Sequence, residues 1–251
     1  MEYTHLSSTV NIKTVSQDAK HGVFEVDGLY AGYGLTLGNS LRRTLLSSLP
    51  GAAVTQLKIK GVPHEFATSE GIKEDMVEVS LNFKAIRFRM HTDEPKILTL
   101  KVKGIQVVTA GHIKTDAEVE VINPEVVLAT LTAKNAEFDV EIVVERGLGY
   151  ASVETRTNEK LGIGAIAIDA HFSPVTKVNY VVENMRVGER TDYNRLRLDI
   201  ETDGTVSPSA ALHKAANILK DHFEKVGVVT VEAFEESPKE EGAAPKKKKK
   251  K

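Results

Sequence analysis

The chain has 251 residues, 41% of them hydrophobic and 27% charged, enough to bury one large or two modest cores. It has no cysteine, which excludes a disulfide framework, a thiolate metal site and a cysteine nucleophile. The net charge of −2 hides an asymmetry: Lys246, Lys247, Lys248, Lys249, Lys250 and Lys251 are six of the 33 basic residues, so the rest carries 27 basic against 35 acidic, a net of −8. Such an acidic body argues against a general nucleic-acid clamp, which needs a basic face. No apolar run approaches the roughly 18 residues of a membrane span, and MEYTHLSSTV is no signal-peptide core, so a soluble, cytoplasmic protein is expected.

In chain order, VFEV at residues 23–26 reads as a strand, followed by Gly28, Gly32 and Gly34. A short amphipathic helix over residues 37–49 comes next, with Thr36 as its N-cap and Leu37, Leu41, Leu45 and Leu49 as an apolar stripe. Arg42 and Arg43 point away from that stripe, and Ser48 with Pro50-Gly51 stops the helix. Residues 54–60 alternate as a half-buried strand closed by Gly61. MVEVSLNFK at 76–84 is ambiguous: its apolar residues alternate, yet Glu74-Asp75 suits a helix start. Short β-branched runs at 86–90, 97–102, 119–122, 126–131 and 138–144 then indicate a mostly antiparallel β region. Runs at 178–182 and 196–200 alternate again, the second closed by Asp203-Gly204. A second helix starts at Ser207-Pro208, with Leu212, Ala215, Leu219, His222 and Val226 in its seam, Ala216 and Phe223 beside it, and Gly227 at its end. From Glu235 no apolar residue exceeds alanine, and that tail is expected to be disordered. Two helices flanking a block of strands indicate one domain threaded into another.

No constellation for catalysis emerges. Gly32, Gly34 and Gly38 have neither the GxGxxG spacing nor a following Lys-Ser/Thr, so they read as turn and packing glycines. The eight histidines form no HxH or HxxxH pair, and no GxSxG elbow exists, so neither a zinc site nor a serine nucleophile is expected.

Several long blocks nonetheless carry a resemblance. GYGLTLGNSLRRTLLSSLPGAAVTQLKIKGVPHEFATSEGIKEDMVEVSLNFK, then RGLGY at 146–150, DAHFSPVTKVNY at 169–180 and RTDYNRLRLDIETDGTVSP at 190–208 are similar, in the right order, to the amino-terminal region of the bacterial RNA polymerase alpha-subunit family. The resemblance covers roughly residues 8 to 230. It implies an α+β fold: a dimerisation domain with two main helices (1–50 plus 174–230), an inserted, largely β domain (51–173) and a charged tail (231–251). It further implies a homodimer that scaffolds the beta and beta-prime subunits of a DNA-directed RNA polymerase, a nucleotidyltransferase. By the same resemblance Leu37, Leu41, Leu45, Leu212, Ala215, Ala216, Leu219 and Phe223 belong to the dimer interface. Arg42 and Arg43 match positions facing beta; Leu46, Lys84 and Ile168 match positions facing beta-prime. The catalytic residues and their magnesium are expected in the large subunits, with no cofactor in this chain. Most family members continue into a second domain that reads upstream DNA. Here an acidic stretch and the six lysines stand in its place, so loss of activator response is expected, with the lysines either a sequence-blind DNA tether or merely a solubilising end.

Overall fold

The computed structural model describes residues 6–156, 162 and 164–229; the whole of the expected tail, with the lysines at 246–251, lies outside them. The chain runs β1 (Asn11–Gln17), β2 (His21–Leu29), α1 (Tyr33–Ser47), β3 (Pro50–Ile59), α2 (Met76–Lys84), β4 (Phe88–Met90), β5 (Lys96–Lys103) and β6 (Gln106–Thr109). It continues through β7 (Val119–Val121), β8 (Val127–Leu131), β9 (Glu137–Leu148), β10 (Tyr150–Ala151), β11 (Ala165–Ala167), β12 (Ala170–His171), β13 (Val175–Val187), β14 (Arg190–Thr202) and α3 (Pro208–Val226). The fold is α+β, and every strand pairing among the described residues is antiparallel.

Among the described residues two large hydrophobic cores form, with a small third cluster of Ala53, Ala170 and Phe172. One lies under the sheet ordered β1-β2-β14-β13. Period two in β14 sends Leu196, Leu198 and Ile200 inward, where they meet Leu45 and Leu49 from the α1 region and Ala211, Leu212 and Ala215 of α3. The opposite residues, Arg195, Arg197, Asp199 and Glu201, line the outer face. There Asp27 accepts from Arg195 Nε at 2.6 Å and from Lys13 Nζ at 2.9 Å. These two cations, Arg195 first, hold its carboxyl below the usual carboxylate range.

The second core belongs to the sheet ordered β5-β9-β3-β4-β7, with β11 added to β3. Phe138, Val140, Ile142 and Val144 alternate inward from β9, and Met76, Val79 and Phe83 of α2 cover them. The ambiguous 76–84 run is therefore helical: Asp75 Oδ1 accepts from the Glu78 amide at 2.7 Å, an N-cap that outweighs the alternation. Arg89 ties the two cores together, Nε and Nη2 donating to the Thr205 and Gly204 carbonyls at 3.0 and 3.1 Å.

The first helix departs from its expected start. It begins at Tyr33, not after Thr36, and Gly32 (φ 87°) precedes it in the left-handed region glycine favours. Thr36 lies inside the first turn, its hydroxyl directed back to the Gly32 carbonyl. The capping acceptor comes from another strand: Asn194 Oδ1 on β14 receives the Gly32 and Gly34 amides at 2.9 and 3.4 Å. Gly34 and Gly38 let the helix lie close on the sheet, since a Cβ on Gly34 would sit 2.6 Å from Val182 Cγ1 and one on Gly38 2.7 Å from Tyr180 Cδ2.

The last helix follows its signals more closely. Ser207 accepts from the Ala210 amide, Pro208 occupies the first turn, and Gly227 caps the end in a right-handed conformation.

Candidate assembly surfaces

Two outward-facing regions gather the residues singled out in the sequence. The first is made by α1 and α3. At about 100° per residue, Leu212, Ala215, Leu219, Phe223 and Val226 occupy a sector of about 80° on α3. The first half of that stripe is covered by its own chain: Leu212 is 7% exposed and Ala215 fully buried. The second half is not. Every residue from 220 to 229 is exposed, with Phe223 at 64% and Val226 at 66%. The helix thus projects past its sheet, carrying the same apolar stripe into solvent. On α1, Leu35 is also open, and Leu37 and Leu41 are half-buried against the core.

This geometry divides the eight residues assigned to pairing. Leu45, Leu212 and Ala215 hold the helices on their own sheet and have almost no surface to give a second chain. The cause is the width of the stripe: one helix face cannot seat on a sheet and stay free. Leu37, Leu41 and Leu219 are half-buried; Ala216 and Phe223 are exposed.

The arginines of α1 differ as well. Arg42 Nε donates to the Val178 carbonyl of β13 at 3.2 Å, fastening helix to sheet. The guanidinium of Arg43 is exposed and makes no hydrogen bond or ion pair among the described residues. Leu46 is half-buried and packs against the core beneath α1.

The second region is a groove of about 280 Å³ beside α2, lined by Phe66, Val77, Leu81, Lys84, Ile168 and Asp169 among others. Phe66 and Leu81 stand in solvent on its rim. Lys84 Nζ lies 3.6 Å from Asp169 Oδ2 and 5.7 Å from the Tyr150 ring centroid. The Val153 amide, then the Tyr150 hydroxyl and Lys84, hold the Asp169 carboxyl below its ordinary pKa; the same contact raises the Tyr150 phenol. The structure therefore brings Lys84 and Ile168 together, but Ile168 is 6% exposed and floors the groove as part of the second core. Ile168 offers little more than a floor, because its register on the chain after β11 points it inward. Leu46 lies apart, near the end of α1, where the Gly149 turn approaches the Ser47 carbonyl.

Sequence spacing missed two features. Asn194 caps α1 from a distant strand, which no local signal encodes. His21, Asp199 and Glu201 also converge, with ligand-type atoms within 4.8 Å of one another on β2 and β14. His21 Nε2 pairs with Asp199 Oδ1 at 2.9 Å, and Glu201 accepts from Lys177 Nζ at 2.9 Å, so the group reads as part of the outer ion-pair lattice.

Comparison with known proteins adds three relatives. The family model described as "RNA polymerase Rpb3/RpoA insert domain" matches residues 57–173. The chain is 50% identical over 206 residues to DNA-directed RNA polymerase subunit alpha of Moorella thermoacetica, covering 82% of this chain and 66% of that one. It is 48% identical over 226 residues to the subunit of the same name from Symbiobacterium thermophilum, covering 89% and 71%. With that of Alkaliphilus oremlandii the identity is 46% over 214 residues, covering 85% and 67%. The chain thus spans about two thirds of the length of these relatives.

Proposed function

Because the chain belongs to the family of DNA-directed RNA polymerase alpha subunits, we propose that it pairs with a second copy of itself and that the pair is the platform on which the beta and beta-prime subunits assemble. The observation that carries this reading is the overhang of α3. An apolar stripe that begins inside the fold and ends in solvent at Phe223 and Val226 needs a cover. A second copy supplies one of matching chemistry, since two such helices crossing about a twofold axis bury the same residues on both sides. Leu219 and Ala216 join this contact, flanked by Leu37 and Leu41 of α1, while Leu45, Leu212 and Ala215 hold the helices in place from below.

Arg43 is the contact toward beta, because an unengaged guanidinium at a helix surface can fork onto a carboxylate or carbonyl of a partner. Arg42 stays with its own sheet and sets the orientation of that helix. The groove beside α2, with Lys84 at its edge and Ile168 at its floor, receives beta-prime, and Leu46, apart from the groove near the end of α1, is a second contact on that side. Each protomer carries both regions, and the two large subunits occupy different ones, so assembly breaks the symmetry of the pair. In this reading residues 1–50 with 174–230 form the pairing domain and 51–173 the insert. Nucleotidyl transfer and its magnesium belong to the large subunits; this chain contributes no catalytic residue or cofactor. A cytoplasmic location fits that role, and no helix among the described residues is long and apolar enough to cross a membrane.

The test is reconstitution from purified subunits. Arg43→Ala should form the pair normally yet recruit beta more weakly, by about tenfold for one lost charge-assisted contact. Undiminished recruitment of beta by that variant would remove Arg43 from the interface.

A further inference from the structure

A crevice of about 210 Å³ opens between the two cores. One wall is the β3/β4/β9 side, which contributes Arg89, His91 and Arg146; the other is the turn into α3 and its first turns, which contribute Thr205, Val206 and Lys214. Among the described residues no acidic side chain lines it. That runs against composition, since acidic residues outnumber basic ones 35 to 27 outside the lysine run.

The three cations, Arg89, Arg146 and Lys214, differ in how far they are engaged. Arg89 fixes the walls relative to each other through its two carbonyl bonds, and its Nη1 donates to Glu120 at 2.8 Å. Among the described residues Arg146 has one partner, Asp93, at 2.6 Å, whose side chain is 87% exposed and free to exchange it for another anion. The Lys214 ammonium and the His91 imidazole make no hydrogen bond or ion pair among the described residues. A narrow cleft floored by apolar side chains such as Phe88 and Met90 concentrates the field of these charges.

We infer that this crevice binds a small phosphorylated anion of about the size of inorganic diphosphate, held by Arg146 from one wall and Lys214 from the other. Arginine forks onto two phosphate oxygens, and lysine adds a point charge on the far side. The volume lies below the roughly 300 Å³ at which sites for drug-sized molecules begin, so phosphate groups fit inside and a nucleoside would project out. A ligand tied to both walls stiffens the junction between the two cores, which Arg89 also spans.

Isothermal titration of the full purified chain with sodium pyrophosphate at about 150 mM salt, and separately with ATP, tests this without any large subunit, so it stands apart from the assembly reading. One saturable site per chain is expected, weakened about tenfold by Lys214→Ala or Arg146→Ala and retained in Lys214→Arg. Among the described residues Lys214 has no partner to lose, so the fold of Lys214→Ala should match the parent by circular dichroism. Binding of pyrophosphate as tight as that of ATP assigns the site to the free anion; tighter ATP assigns it to a nucleotide's phosphate tail. Absence of saturable binding by either ligand, or equal affinity in folded Lys214→Ala, overturns the inference.

Discussion

Truncating Phe223 to alanine separates pairing from folding more cleanly than any other single change. The ring is 64% exposed within its own chain, so the isolated protomer loses little when it is removed. Full burial of a phenylalanine contributes about 1.5–3 kcal/mol, and with most of its surface still open each ring has about 1–2 kcal/mol left to gain. A twofold contact counts the ring twice, giving about 2–4 kcal/mol, or a dissociation constant raised on the order of 30- to 1,000-fold. Sedimentation velocity across a concentration series reads that shift directly, with far-ultraviolet circular dichroism as the control for intact helix and sheet. Substituting Leu45 would be a poorer probe. It is fully buried among its own neighbours, so Leu45→Ala should cost about 2–5 kcal/mol of protomer stability whether or not the chain pairs. If Phe223→Ala associates as tightly as the parent, the α3 overhang is not the pairing surface and the reasoning fails.

Other expectations follow from the same geometry. Asn194→Ala leaves the Gly32 and Gly34 amides without their acceptor and should cost about 1–2 kcal/mol in urea denaturation; no loss would mean that water caps α1 equally well. Gly38→Ala improves helix propensity by about 1 kcal/mol but drives a methyl against Tyr180 and Leu196, at about 1–3 kcal/mol; thermal unfolding should show a net loss, and a gain would mean the sheet yields there. Asp27 has a folded pKa below the 3.8 of its free form, so in acid the unfolded chain binds more protons and stability falls with pH through that window. Asp27→Asn should therefore cost about 1–3 kcal/mol near pH 7 and progressively less as the pH drops below 3.8; an equal cost at pH 3 and pH 7 would refute the ion-pair account. If Lys246 to Lys251 act as a DNA tether, deleting them should lower transcription by the assembled enzyme at low salt and matter less at moderate salt, whereas equal activity at both would end that idea.

Local chemistry made much of the fold legible. The Ser207-Pro208 start of α3, the alternation in β9 and β14 and the Asp203-Gly204 turn are encoded by neighbours in sequence; α3 starts where its signals placed it, while β9 and β14 contain the alternating runs and extend beyond them at both ends. The start of α1 was not legible, because its cap is Asn194, more than 150 residues away in the chain. Without that partner Thr36 was the best local candidate. The run at 76–84 carried alternation and an acidic helix start together, and the Asp75 cap on the Glu78 amide with the burial of Met76, Val79 and Phe83 settles it as helix. The four-residue β6 was overlooked because its pairing with β8, rather than its own pattern, defines it.

The helix faces were legible as lists of residues but not as exposures. Periodicity tells which residues share a helix face. It does not tell whether that face meets the chain's own sheet or a second molecule, and on α3 it meets the sheet at Leu212 and projects past it at Phe223. Likewise the pairs Arg42/Arg43 and Lys84/Ile168 look equivalent in sequence. One member of each is committed internally, Arg42 to the Val178 carbonyl and Ile168 to the second core.

The most direct test is the mass of the purified full chain by sedimentation, first alone at micromolar concentration and then with the beta subunit added. The account predicts twice the 27.4 kDa chain mass, followed by a larger species containing two copies of this chain and one of beta. A species that stays at the mass of one chain and does not take up beta would contradict it.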